Sequence, residues 1–286
     1  MDAKAPGGDA TISAGPRPRL ERVSGRLQLR TKRSDADGGT AIDQSRQEGS
    51  FKVRYPRLYD GAGLEAVVLN TAGGVTDGDR FALQATAVAD THLTLTTQAA
   101  ERVYRALDGE ARLDVRLAAE AGATLFWLPQ ETILYDGGRL ARSFDISFHP
   151  SARILLCEMV VLGRTAHGET VREGLLTDRW RVRRGGALVY ADALRLDGAI
   201  AERAGGPATL SGARAFASLV WVAPDAEERL DALRALFDDP AMTAGASAWD
   251  GMLAIRLVAA DAARLRAMVT ALVAHLAGTV PRVWAI

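Results

Sequence analysis

The sequence predicts a mainly β scaffold followed by a small C-terminal α+β part with two helices. Three observations carry this. First, a strand–turn–strand unit recurs. Phe81-x-Leu83 runs into Val88-Ala-Asp-Thr and restarts at Leu93-x-Leu95. Leu113-x-Val115-x-Leu117 runs into Ala119-Glu-Ala-Gly and restarts at Leu125-x-Trp127. Phe144-x-Ile146-x-Phe148 runs into His149-Pro-Ser and restarts at Ile154-x-Leu156. The restarts fall roughly every 30 residues, a spacing that stacked β-solenoids show. An antiparallel sandwich with regular hairpins fits the same pattern. Second, apolar residues alternate with period two through most of the chain, the signature of half-buried strands. Third, helical periodicity is confined to the C-terminal part, at Leu230, Leu233, Leu236 and Phe237 and again at Leu265, Met268, Val269, Leu272, Val273 and Leu276.

In chain order, residues 1–20 are rich in Gly, Ala and Pro and read as a disordered tail without the apolar core of a secretory signal. The β scaffold runs over about 21–200 and the α+β part over about 212–286 of one domain, 21–286. Arg22–Arg33 alternates through Val23, Leu27 and Leu29 as a first strand, and Asp35–Gly49 is a polar loop or hairpin tip. Phe51–Tyr55 is a strand stopped by Pro56. Ala66–Leu69 leads into a glycine-rich turn, Asn70–Asp79. Gln98–Arg105 is either one helical turn or an exposed loop. Gly122–Leu140 is strand material broken at Pro129, which removes a ladder donor and forces a bend, bulge or edge. Gln130, Glu131 and Thr132 sit at that break between Trp127 and Tyr135. Arg184-Gly-Gly marks a hairpin between Trp180–Val182 and Ala187–Tyr190. Ile200–Ser211 reads as a loop, Phe216–Val222 and Leu253–Val258 as strands. The first helix, Asp225–Asp238, carries Glu227 and Glu228 in its opening turn, where the dipole favours acids. The second, Asp261–Leu276, stops at Gly278.

Composition excludes several functions. Lys+Arg and Asp+Glu both number 35, so the chain lacks the basic excess of a nucleic-acid binder. A net charge of zero favours association with protein partners. The single cysteine, Cys157, permits no internal disulfide and points to a reducing, cytoplasmic setting. No apolar run reaches the ~20 residues of a membrane span; the strongest, Ile154–Leu162, is interrupted by Glu158. Gly73–Gly78 has phosphate-loop spacing, but Asp79 and Arg80 follow it in place of Lys-Ser/Thr, and Asp77 and Asp79 would repel phosphate. Gly61–Ala66 fits a dinucleotide pattern, yet it precedes a strand instead of joining strand to helix. His92, His149, His167 and His275 lack metal-ligand spacing, and Cys157 sits in an apolar run as an inert buried thiol.

Carboxylates remain. Glu131 and Asp136 flank a bend beside an aromatic wall, a pair that could serve glycoside hydrolysis in a β-helical carbohydrate hydrolase. Equally, Glu131 is a turn residue bonding backbone amides. Glu158, inside the most apolar strand, must be paired, protonated or facing water, unless it points outward.

Three long motifs then stand out in order: Asn70-Thr-Ala-Gly-Gly-Val-Thr-Asp-Gly-Asp79, Thr96-Thr-Gln-Ala-Ala-Glu-Arg-Val-Tyr-Arg105 and Trp127-Leu-Pro-Gln-Glu-Thr-Ile-Leu-Tyr-Asp-Gly137. With Gly163–Glu169, Asp178-Arg-Trp-Arg-Val and Pro281-Arg-Val-Trp284, they make the chain resemble the UreD (UreH) family of urease accessory proteins from about Arg22 to the C-terminus. Asp77 stands where that family more often has glycine, and Val75 where it often has leucine. The resemblance implies a maturation factor, not an enzyme, on a β-helix-like scaffold with a small helical part. It implies binding to helical UreF, through it to the GTPase UreG, and to urease apoprotein. It implies no tightly bound cofactor, with nickel(II) as a transient passenger of an internal tunnel. Oxygen donors hold nickel more weakly than imidazole or thiolate, which suits a conduit. On that reading Asp79, Glu101, Glu131 and Glu158 mark the nickel path. Gly73, Gly74, Gln98, Tyr104, Pro129, Gln130, Thr132, Asp136 and Glu169 line the tunnel or a partner surface.

Overall fold

The structure is a computed structural model that describes residues 21–58 and 63–285. The expected disordered tail, 1–20, and Gly61 of the Gly61–Ala66 match lie outside those residues. The strands are β1 (Ser24–Arg33), β2 (Thr40–Gly49), β3 (Phe51–Arg54), β4 (Leu64–Asn70), β5 (Arg80–Ala87), β6 (His92–Thr97), β7 (Glu101–Val103), β8 (Ala111–Ala119), β9 (Thr124–Leu128), β10 (Thr132–Leu134), β11 (Arg139–Phe148), β12 (Arg153–Leu162), β13 (Glu173–Arg184) and β14 (Ala187–Ala199). After them come α1 (Ile200–Gly205), β15 (Ala215–Val222), α2 (Leu230–Arg234), β16 (Met242–Trp249), β17 (Met252–Ala259) and α3 (Ala262–Ala277).

The recurring unit is one coil of a β-solenoid. The chain alternates between two sheets, placing β1, β5, β8, β11 and β13 side by side in the first and β4, β6, β9 and β12 in the second. All neighbours within these two sets are parallel. The register puts Leu83 beside Val115 and Val115 beside Phe144, which joins residues of the three repeated units. Parallel register excludes the sandwich. Short strands β7 and β10, with a parallel bridge from Val75 to Val103, add a third, narrow face at one edge. Antiparallel strands close the stack: β2 and β3 at one end, β14 and the β15–β17–β16 meander at the other.

Period-two alternation sorts the side chains into two cores. Inward residues such as Leu83, Val115, Phe144, Leu125 and Ile154 fill the space between the sheets. The opposite face of the second sheet, with Phe126, Leu155, Cys157 and Trp221, is covered by Leu265, Val269, Leu272, Val273 and Leu276 of α3. Five buried apolar side chains contribute on the order of 10 kcal/mol to docking this helix. Its ends are set chemically: the Asp261 carboxylate accepts the Arg264 N–H at 2.9 Å, and Gly278 at φ 76° gives the left-handed C-terminal cap. Cys157 is fully buried in this core, and burial pushes its thiol well above the ordinary range.

Several elements differ from expectation for identifiable reasons. Most of Asp35–Gly49 is the strand β2, an edge strand with little burial on either face and so no apolar alternation. The unforeseen strand β16 is an edge of the same kind. Ile200–Ser211 begins with α1, held by only two buried residues, Ile200 and Ala204. The helix expected over Asp225–Asp238 is helical only over Leu230–Arg234. Upstream, Ala226 N–H bonds to Ala223 O and Arg229 N–H to Ala226 O, the tighter i→i−3 pattern of turns. Gln98–Arg105 is neither helical nor simply a loop, because Glu101–Val103 forms β7. The Arg184-Gly-Gly hairpin forms as expected, with Gly185 and Gly186 both at positive φ.

Candidate functional site

The break at Pro129 makes the site. Strand β9 pairs with β12 only as far as Trp127 opposite Leu156, and β10 resumes the pairing at Thr132 opposite Val160. Between them the chain leaves the ladder, so Glu158 keeps a sheet neighbour, Ser218, on its other side alone. Glu158 shares parity with Ile154, Leu156 and Val160 and points between the two sheets. It meets Arg142 of β11, which lies in register with Asp178 of β13.

All three charges are buried. Arg142 Nη1 donates to Glu158 and, at 2.9 Å, to Thr132 Oγ1; its Nε donates to Asp178 Oδ1 at 2.6 Å and its Nη2 to Asp178 Oδ2. Trp127 Nε1 donates to the second Glu158 oxygen at 2.6 Å. Desolvation works against the Arg142 charge, but Asp178 and Glu158 outweigh it and raise its pKa, so the guanidinium stays protonated. Burial pushes the Glu158 carboxyl upward against the pull of Arg142. Such a network is costly to leave half made, so it fixes the relation of the two sheets here.

A cavity of about 230 Å³ reaches this network from the surface. Exposed Gly73, Gln98 and Ala99 mark its mouth, and buried Arg142 and Glu158 its inner end. Phe81, Leu83, Leu113 and Leu140 form an apolar wall, and Asn70, Glu101, Gln130 and Thr132 supply polar groups. Glu101 lies beside Thr132 in the β7–β10 ladder. Asn70 Nδ2 donates to both its oxygens at 3.2 Å, yet desolvation dominates and pushes the carboxyl up to about 7. Gly74 also lines the cavity. Its φ is +147°, and a β-carbon there would stand 2.4 Å from the Tyr104 ring.

The sequence-derived residues fall into four places. Gly73, Gly74, Gln98, Glu101, Pro129, Gln130, Thr132 and Glu158 line the cavity. Asp79 does not: its carboxylate is tied to the backbone N–H groups of Val23 at 2.8 Å and Thr76 at 2.9 Å. Glu131 faces outward and pairs with Arg266 of α3 at 2.8 Å; the same guanidinium donates to Gln130 Oε1 and lies over Trp284. Tyr104, Asp136 and Glu169 meet in a separate surface cluster with Arg105, Tyr135 and Arg164. There Arg164 grips Glu169, holding its carboxyl down at about 2. Burial would raise Asp136, but the N–H groups of Glu173 and Arg172 and the Arg105 cation hold it below the usual range. Glu131, paired with Arg266, and Asp136, held down in the surface cluster, thus occupy different surroundings and do not make the carboxyl pair a hydrolase needs. Arg142, Asp178 and Asn70 went unrecognised as site residues. The first two carried a signal: each is a charge at an inward position, Arg142 between Leu140 and Phe144, Asp178 between Leu176 and Trp180. Among the described residues no three His, Cys, Asp or Glu side chains are grouped to hold a metal ion.

Fold and site together define a β-solenoid scaffold with a charged internal cavity. The chain matches the family described as "UreD urease accessory protein" over residues 23–285. It is 47% identical over 281 residues to the "Urease accessory protein UreD" of Xanthobacter autotrophicus, covering 98% of this chain and 96% of that one. The corresponding proteins of Azorhizobium caulinodans and Methylobacterium sp. (strain 4-46) are each 46% identical, covering 94% and 93% of this chain and 98% and 96% of theirs. The chain belongs to the UreD family of urease accessory proteins. It is an accessory protein, not an enzyme. No helix among the described residues is long and apolar enough to cross a membrane.

Proposed function

We propose that the chain is a cytoplasmic scaffold of urease maturation that holds UreF, and through it the GTPase UreG, on urease apoprotein, and that nickel(II) passes through its interior as cargo. The supporting observation is the cavity from Gln98 past Glu101 to Glu158. Its donors are carboxylate, amide and hydroxyl oxygens spread along a path, which hold a divalent ion weakly enough to release it. A carboxyl at about 7, as Glu101 has, exchanges its proton readily for an arriving cation at neutral pH. The maturation role is tested by deleting the gene: urease protein should remain abundant but nickel-poor, and a normal nickel content would overturn the reading.

One observation favours a second reading, a purely interacting scaffold. The Arg142 guanidinium, fixed between Glu158 and Asp178, places a cation at the inner end of the cavity. In the conduit reading the two carboxylates outnumber that charge and the bridge opens to admit the ion. In the scaffold reading it stays shut and the cavity carries nothing.

A further inference from the structure

The outer face of the first sheet carries a charge that the chain as a whole does not. Alternation sends Leu27, Leu83, Val115, Phe144 and Trp180 into the inter-sheet core. Arg26, Arg80, Arg116, Arg179, Arg181 and Arg183 of β1, β5, β8 and β13 therefore stand at outward positions. Where these strands and β11 pair in parallel, the outward carboxylates among the described residues are Asp114 and Asp145 alone. Lys+Arg and Asp+Glu both number 35 in the chain, so the anions that balance this face lie elsewhere.

The two carboxylates leave the excess unanswered. Asp145 is held by Arg183 at 3.1 Å, and Asp114 accepts from the Ser143 hydroxyl. Arg26, Arg80, Arg116 and Arg179 are exposed, and among the described residues their side chains make no hydrogen bond or ion pair. Arg80 stands in register beside Arg112, a like-charge neighbour that weakens a sheet. The fold gains nothing from these guanidinium groups. The outer face of the second sheet is covered by α3, whereas these arginines face solvent.

The shape and composition of the face decide what fits it. Thr86, Ala118 and Ser147 share one register row, and their small side chains floor an open trough of about 280 Å³ beside Arg116 and Arg183. Otherwise the strands present cations at the fixed spacing of a sheet, which suits a rigid folded surface. Asp114 and Asp145 among the arginines repel a continuous phosphate backbone, yet each can meet a cation on a protein. No aromatic side chain stands at these outward positions to stack on a base or enter a lipid interface.

We propose that the outer face of the first sheet, centred on Arg80, Arg116 and Arg179, docks a folded protein partner that presents a carboxylate-rich surface. The proposal rests on the reading of the chain as a scaffold and gives it a docking face distinct from the inter-sheet passage. Complementary charge of this kind speeds encounter and fixes the orientation of the partner.

Association of the full chain with purified urease apoprotein and, in a second arm, with purified UreF tests this, read by biolayer interferometry at low and at high sodium chloride. One of the two is expected to bind with an association rate that falls about tenfold or more as salt rises. R80E/R179E is expected to weaken that binding by about tenfold or more at unchanged Tm, because neither side chain is bonded in the fold. R80K/R179K keeps it. Binding of both proteins that is indifferent to charge reversal overturns the docking face and leaves the scaffold reading standing. Failure of the wild-type chain to bind either protein overturns both. Duplex DNA or phosphatidylserine vesicles that bind the wild-type chain but not R80E/R179E, with protein binding unaffected, also overturn it by assigning the face to phosphate. The wild-type salt dependence needs no variant to fold: an association rate that does not change with salt in either arm refutes the proposal.

Discussion

Replacing Glu101 by glutamine is expected to stabilise the protein above neutral pH while harming its function. In the folded chain desolvation lifts this carboxyl from 4.5 to about 7. Between those values the native state holds a proton that the unfolded chain has released, so the Glu101 contribution to stability falls as pH rises from 4.5 towards 7 and is constant above. A displacement of that size corresponds to roughly 3 kcal/mol once the group is ionised in both states. Glutamine carries no charge to desolvate, and its oxygen can still accept one hydrogen bond from Asn70 Nδ2, which now reaches both carboxylate oxygens. E101Q should therefore unfold at higher urea than wild type at pH 8, by about 2–3 kcal/mol, with the difference vanishing near pH 4.5. Urea titrations followed by tryptophan fluorescence across this range measure it. A variant less stable than wild type at pH 8, or a difference independent of pH, refutes the placement of an ionisable Glu101 in the desolvated cavity.

Other variants probe the surroundings. R142M leaves Glu158 and Asp178 buried without their cation and should cost about 3–5 kcal/mol by chemical denaturation, whereas R142M/E158L/D178L should be more stable than R142M alone. R266A removes the contacts that join α3 to Gln130, Glu131 and the Trp284 carbonyl. About 1 kcal/mol of stability should go with them, and amide exchange should quicken across the Pro129 break and the C-terminal turn. G74A forces a β-carbon within 2.7 Å of the Arg102 carbonyl and against the Tyr104 ring at a backbone angle reserved for glycine. Its expected cost is about 1–3 kcal/mol or more, read as a lower Tm.

What was legible in the sequence follows from burial. Strands with one face in a core, such as Phe144-x-Ile146-x-Phe148, display the alternation that dictates their orientation. The edge strands β2 and β16 bury little on either side, so selection for apolar residues is weak and the pattern is lost. Pro129 announced a break correctly because a missing N–H is a local property. Which way each side chain leaves that break is not local. Glu131 turns outward because Arg266, far along the chain, stands there, and Glu158 is inward because of its strand parity. Asp79 resembled a path residue, but its carboxylate closes a turn through two backbone amides. Arg142 and Asp178 were visible as charges at inward positions, and only the coil-to-coil register joins them to Glu158.

Passage of nickel through the cavity between the sheets is open to a direct test. The most direct measurement is the nickel content of urease purified from cells whose only copy of this protein is E101Q or E158Q, together with recovery of the partner complex. Nickel-poor urease is expected, alongside undiminished co-purification of UreF, UreG and urease. Fully nickel-loaded urease from both variants would contradict it and leave the chain an interacting scaffold alone.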